Sequence, residues 1–144
     1  MSSDKVPSSR PYADILFRLK EAGLRPTRQR LALGRLLFGG EDRHVTAEQL
    51  HAEAASKGVR VSLATVYNTL NQFTGVGLMR EVVVEPGRSY FDTNIDDHHH
   101  FFFEDNGALA DIPGDAVTLA RIPEPPAGAE VSRIDVVVRV RNTD

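Results

Sequence analysis

Apolar residues recur at helical spacing through the first half of the chain and turn to strand-like runs in the second. Ile15, Leu16 and Leu19, set among charged residues, predict a helix over residues 11–21 that Gly23 ends. Thr27 is a suitable N-cap for a second helix carrying Leu31, Leu33, Leu36 and Leu37, stopped at Gly39 and Gly40. Thr46-Ala-Glu-Gln49 has the form of a capping box and opens a helix over 46–57 with Leu50 and Ala54 turned inward. Ser62 opens the next, over 62–74, with Val66, Leu70 and Phe73 on one face and Gly75 and Gly77 at its end. Only Gly58-Val-Arg-Val61 separates these last two, which is the spacing of a helix-turn-helix. A β-branched run over 78–84, the turn Glu85-Pro-Gly-Arg88 and a second run over 89–91 follow directly and predict a hairpin in the position of a wing.

Beyond residue 92 the pattern changes. Residues 98–103 and 108–112 read as two strands around the turn Glu104-Asp-Asn-Gly107. Pro113, Pro123, Pro125, Pro126 and Gly128 make the following stretch unsuited to a long helix, and the valine-rich residues 131–141 predict a last strand. The expected fold is therefore α+β. A lead-in without order over 1–11 precedes an N-terminal winged helix-turn-helix domain over 12–92. A small α/β domain without a long helix follows over 93–144.

Composition narrows the chemistry. The 144-residue chain is 41% hydrophobic, which suits a globular protein, and has no apolar run long enough to span a bilayer. Its N-terminus lacks an apolar signal core, so a cytoplasmic protein is expected. There is no cysteine, which excludes disulfides, thiolate zinc, iron–sulfur clusters and thiol redox sensing. Any transition metal must be held by histidine, carboxylate or water. The net charge of -3 is unevenly spread, with 12 Lys+Arg against 7 Asp+Glu through residue 80 and 5 against 13 after it. A basic half on an acidic chain still attracts nucleic acid, because the local field steers association.

The helix over 62–74 has what a DNA-reading helix needs at its start. Ser62 and Thr65 are suited to phosphate, Asn68 to the edge of adenine and the ring of Tyr67 to a thymine methyl. Arg25, Arg28 and Arg30 cluster at the second helix and suit the DNA backbone, although a solvated arginine face of a helical domain would look the same. In the other half, Asp92, Asp96, Asp97, His98, His99 and His100 lie within nine residues. Side chains alternate along a strand, so His98 and His100 share a face and His99 takes the other. Two imidazoles so spaced, with a carboxylate, suit Fe2+, Mn2+ or Zn2+; a solvated histidine cluster is the plainer alternative.

Gly-Leu-Arg-Pro-Thr-Arg-Gln-Arg30, His44-Val-Thr-Ala-Glu-Gln-Leu50, Val61-Ser-Leu-Ala-Thr-Val-Tyr-Asn-Thr-Leu70 and the His-X-His segment running on to Gly107 together resemble the ferric uptake regulator (Fur) superfamily over roughly residues 12–112. The resemblance implies a homodimer that binds A/T-rich inverted repeats in double-stranded DNA; a tetramer is the alternative assembly. In it Tyr67 reads thymine, Arg25 reaches a minor groove and Arg30 holds a phosphate. It further implies a regulatory metal held by His44, Asp92, His98, His100 and Asp111, in a spacing similar to the peroxide-sensing branch.

The Tyr-Asn-Thr-Leu70 sequence, where most members carry arginine after the tyrosine, resembles the iron response regulator (Irr) branch. That likeness implies haem as an effector and His98, His99 and His100 as its contact. The branch's Cys-Pro haem motif is absent, as are the two Cys-X-X-Cys pairs that hold a structural zinc; the first would fall at Phe103 and Asn106. Dimerisation is then expected on β strands, with 101–103 and 131–140 as candidates. The implied function is a transcription regulator of iron and haem metabolism. A metal-dependent peroxide sensor of the same superfamily is the alternative, against which the Tyr67-Asn68 pair and the missing cysteines speak. Asp92, His98 and His100 also imitate a two-histidine, one-carboxylate iron enzyme. No second catalytic group accompanies them, so no enzyme is expected.

Overall fold

The computed structural model describes residues 13–143; the lead-in expected over 1–11 lies outside them. The chain divides after Ile95 into two compact units.

The first unit runs α1 (Ala13–Glu21), α2 (Arg28–Phe38), β1 (His44–Val45), α3 (Ala47–Ser56), α4 (Leu63–Gly75), β2 (Arg80–Glu85) and β3 (Arg88–Asp92). The caps expected from sequence form as hydrogen bonds. Thr27 accepts from the amide of Arg30, Ser62 from that of Thr65, and Thr46 and Gln49 exchange both bonds of a capping box. Helix α4 closes where Leu78 N–H donates to the Phe73 carbonyl at 2.9 Å and Gly77 N–H to that of Thr74 at 3.1 Å. This closure needs the left-handed φ of +84° at Gly77, which glycine adopts without Cβ strain.

The apolar stripes of all four helices meet in one core. Leu19, Leu33, Leu50, Leu70 and Phe73 are fully buried there, with Met79 and Phe91 from the hairpin. Gly34 lets α1 approach α2, since a Cβ there would stand 2.6 Å from the Ile15 side chain. The strands form an antiparallel sheet in the order β1-β3-β2. The fold is a helix-turn-helix with its wing.

The second unit holds β4 (His98–Phe103), β5 (Leu109–Pro113), a short 3-10 turn over Gly114–Ala116 and β6 (Val137–Val140). Strand β4 is central, antiparallel to β5 and parallel to β6. Among the described residues this unit has no long helix, as its prolines predict. Its last strand is shorter than the valines of 131–141 suggest. At Val136 the backbone N–H goes to the side chain of His99 rather than to a strand carbonyl, so the ladder begins only at Val137. Among the described residues no helix is long and apolar enough to cross a membrane.

Candidate metal centre and DNA-reading surface

Strand register brings the expected ligands together in two groups, one in each unit. In the first unit, β1 lies beside β3 with His44 opposite Asp92, so the two side chains share a face of the sheet. Asp92 is buried, and one of its carboxylate oxygens accepts the Asn94 N–H at 2.9 Å. The His44 ring meets Tyr90 edge-on at 6.5 Å.

In the second unit, His100 lies opposite Asp111 across β4 and β5, and His98 follows on the same face. Both imidazoles are buried, while the Asp111 side chain remains 45% exposed. The Asp111 carboxylate stands 3.6 Å from His98 Nε2 and 3.4 Å from His100 Nε2. One ligand atom from each of the three lies within 4.8 Å of the others. Two atoms bound about 2.1 Å from a tetrahedral ion stand about 3.4 Å apart, so this nitrogen–oxygen set fits a divalent metal.

The histidines of the triplet differ in which ring nitrogen is available. His98 Nδ1 lies 2.5 Å from the Asp96 carbonyl. A carbonyl only accepts, so Nδ1 carries the proton, and in the neutral ring the Nε2 lone pair faces Asp111. His99 is the reverse. Its Nδ1 accepts the Val136 N–H at 3.1 Å, so in the neutral ring the proton is on Nε2, which then has no lone pair for a metal. Sequence periodicity separates His99 from its neighbours by face; the hydrogen bonds separate it by chemistry. Beside the cluster is a cavity of about 670 Å³ whose lining includes His98, His99, Leu119, Val131, Arg133 and Ile134.

On α4, Tyr67 and Asn68 are exposed one turn after the N-cap, and Tyr67 has 39% of its surface open. The Ser62 hydroxyl donates to Thr65 Oγ1 at 3.0 Å while capping the helix. Arg25 and Arg28 are exposed. Arg28 and Arg30 occupy the first turn of α2, where the helix dipole disfavours cations and no acidic residue offsets them. Arg30 is bound within the protein. Its Nη1 donates to the Arg25 carbonyl at 2.8 Å, and its Nε and Nη2 donate to Gln72 Oε1 of α4 at 3.2 and 3.0 Å. It thus ties the Arg25 loop to the helix that carries Tyr67. Neither this tie nor the partner of Tyr67, Glu48 on α3 at 2.8 Å, was legible from spacing, because both join residues of different elements.

A winged helix in one unit and a histidine–carboxylate cluster on a sheet in the other define the class of metal-responsive DNA-binding regulators. The family model described as the ferric uptake regulator family matches residues 21–131. The peroxide-responsive repressor PerR of Staphylococcus epidermidis is 31% identical over 112 residues, covering 78% of this chain and 74% of that one. The ferric uptake regulator of Vibrio cholerae, whose DNA-binding domains are known to rearrange, superposes with a TM-score of 0.71 at 26% identity, over 90% of this chain and 100% of that one. The Pseudomonas aeruginosa regulator, solved with manganese, gives 0.65 at 26% identity, over 89% and 97%. The chain belongs to the ferric uptake regulator family, and it is a metal-responsive transcription regulator rather than an enzyme.

Proposed function

We propose that this regulator controls genes of iron and haem metabolism, binding A/T-rich inverted repeats as a homodimer with an affinity set by a divalent metal. The observation that carries the reading is the cluster of His98, His100 and Asp111, whose spacing and His98 tautomer suit Fe2+, Mn2+ or Zn2+. Family resemblance also implies His44 and Asp92 as ligands, and these two pair across β1 and β3. In this reading the ion favours one conformation of the protein, and a conformation that fits DNA gains affinity by that difference. In this reading Tyr67 and Asn68 face base edges, Ser62 and Thr65 face phosphate, and Arg25 and Arg28 meet the backbone or minor groove. Arg30 positions Arg25 in addition to any phosphate contact. Exposed Phe101 and Val138, neighbours on one face of the sheet, support dimerisation through the second unit.

Haem, the effector of the Irr branch, is the finer proposal. The cavity beside His98 favours it, with apolar Leu119, Val131 and Ile134 for a porphyrin face and Arg133, whose guanidinium pairs with Asp135 at 2.9 Å, for a propionate in exchange. His99 as an axial ligand would first have to release Val136. The experiment is fluorescence anisotropy of a labelled A/T-rich inverted-repeat duplex, bound in manganese(II), during a haem titration. Haem-driven release from the native protein, absent in His98→Ala/His99→Ala/His100→Ala, is expected. Release that persists in the triple variant would remove haem from these residues.

The PerR relative favours a second reading, a peroxide sensor in which hydrogen peroxide would transfer one oxygen atom to a ligand histidine of an iron(II)-loaded site and leave as water. A gain of about 16 Da on His98 or His100 after iron(II) and peroxide would select it.

A further inference from the structure

Tyr67 is the exposed aromatic of α4, and its hydroxyl is already committed. It donates to Glu48 Oε2 at 2.8 Å. Glu48 lies in the first turn of α3, immediately before Gln49 of the capping box, where a carboxylate also suits the helix dipole. A dipole role needs no partner on α4, and Glu48 has one. The contact fixes the far end of the tyrosine at the hydroxyl and leaves the ring as the part open to a ligand. The tyrosine hydroxyl is held above its ordinary pKa, first by this hydrogen bond and then by burial and the adjacent charge.

A negative charge next to a DNA-reading helix weakens binding to phosphate in general. Its presence calls for a compensating gain, and orientation of a reading side chain is such a gain: a ring already held in its bound rotamer loses less entropy on docking. We propose that Glu48 is a positioning residue for Tyr67, parking its hydroxyl so that the ring presents an apolar edge to a thymine methyl. The inference rests on the reading of α4 as the DNA-contacting helix. It assigns base discrimination to a residue outside that helix.

The test compares two variants of equal charge. Glu48→Gln keeps an acceptor for the Tyr67 hydroxyl; Glu48→Ala does not. Each is titrated against an A/T-rich inverted-repeat duplex and against the same duplex with thymine replaced by deoxyuridine, which lacks only the methyl. The native protein should bind the deoxyuridine duplex about fourfold more weakly for each methyl packed against a ring, the value of one buried methyl group. Glu48→Gln should keep that ratio and Glu48→Ala should lose most of it. Tyr67→Phe should behave as Glu48→Ala, and the double variant should be no worse than either alone. Discrimination that survives in Glu48→Ala, or is lost equally in both variants, would overturn the positioning role. Native protein indifferent to the methyl would instead overturn the thymine reading on which the inference stands.

Discussion

At the scale of single residues, the cluster turns on which nitrogen of each imidazole is free. His98, His99 and His100 are chemically identical in sequence, yet the Asp96 carbonyl and the Val136 amide impose opposite proton positions on the first two. Only a histidine with an unprotonated ring nitrogen directed at the ion binds it. Isothermal titration with manganese(II) should therefore show affinity falling by about 10- to 100-fold or more in His98→Ala and in His100→Ala. His99→Ala should stay within about threefold of native, since it removes a backbone tie and no ligand. Equal losses in all three would mean that the triplet acts as one unit and that the tautomer assignment is wrong. The period-two pattern of β4 was enough to place His98 and His100 on one face. It carried no information on tautomer, which depends on a carbonyl two residues back and an amide from a distant segment.

At the scale of elements, legibility followed the range of the forces involved. Helices α2, α3 and α4 were readable because their caps are local: Thr27, Thr46 and Ser62 bond amides three residues on. The wing was readable from its turn. Strand β1 was not, since two residues cannot display a period, and its existence depends on β3 lying alongside. Periodicity therefore could not show the register that sets His44 opposite Asp92, which family resemblance alone had put in one ligand set. The length of β6 was misjudged for a similar reason, because a side chain rather than a strand takes the Val136 amide.

The chain entering β1 is held by Arg43, which donates to both oxygens of Glu53 on α3, at 2.7 and 3.1 Å, and to the Leu36 carbonyl of α2 at 3.1 Å. Its guanidinium holds the Glu53 carboxyl below the ordinary glutamate range. A folded pKa below the unfolded one gives stability that is complete above the unfolded value and is lost as pH falls through the folded one. Arg43→Met should lower unfolding free energy at neutral pH by about 1 kcal/mol, after discounting a pair that is about a third exposed. That difference should shrink once the pH is well below the ordinary carboxylate range. Urea unfolding of both proteins at the two pH values checks it; a pH-independent gap would assign the loss to packing of the arginine stem.

At the scale of the whole molecule, the uneven charge of the two halves has a functional counterpart. The basic half carries the helix-turn-helix, and the acidic half carries the sheet with the candidate metal cluster. A long-range positive field from the first brings DNA in, while carboxylates in the second suit cations. Family membership joins the two activities in one regulator. The joining itself is a coupling free energy between ion and DNA, and couplings of this kind are worth roughly 5- to 150-fold in affinity.

Asp111 isolates that coupling best, because its exposed side chain can be removed without opening the core. The decisive measurement is the affinity for an inverted-repeat duplex as manganese(II) is raised from a chelated baseline, in the native protein and in Asp111→Ala. Metal should tighten native binding by about tenfold or more, and Asp111→Ala should bind DNA at the metal-free level until manganese is raised far higher. Identical manganese responses in the two proteins would contradict it.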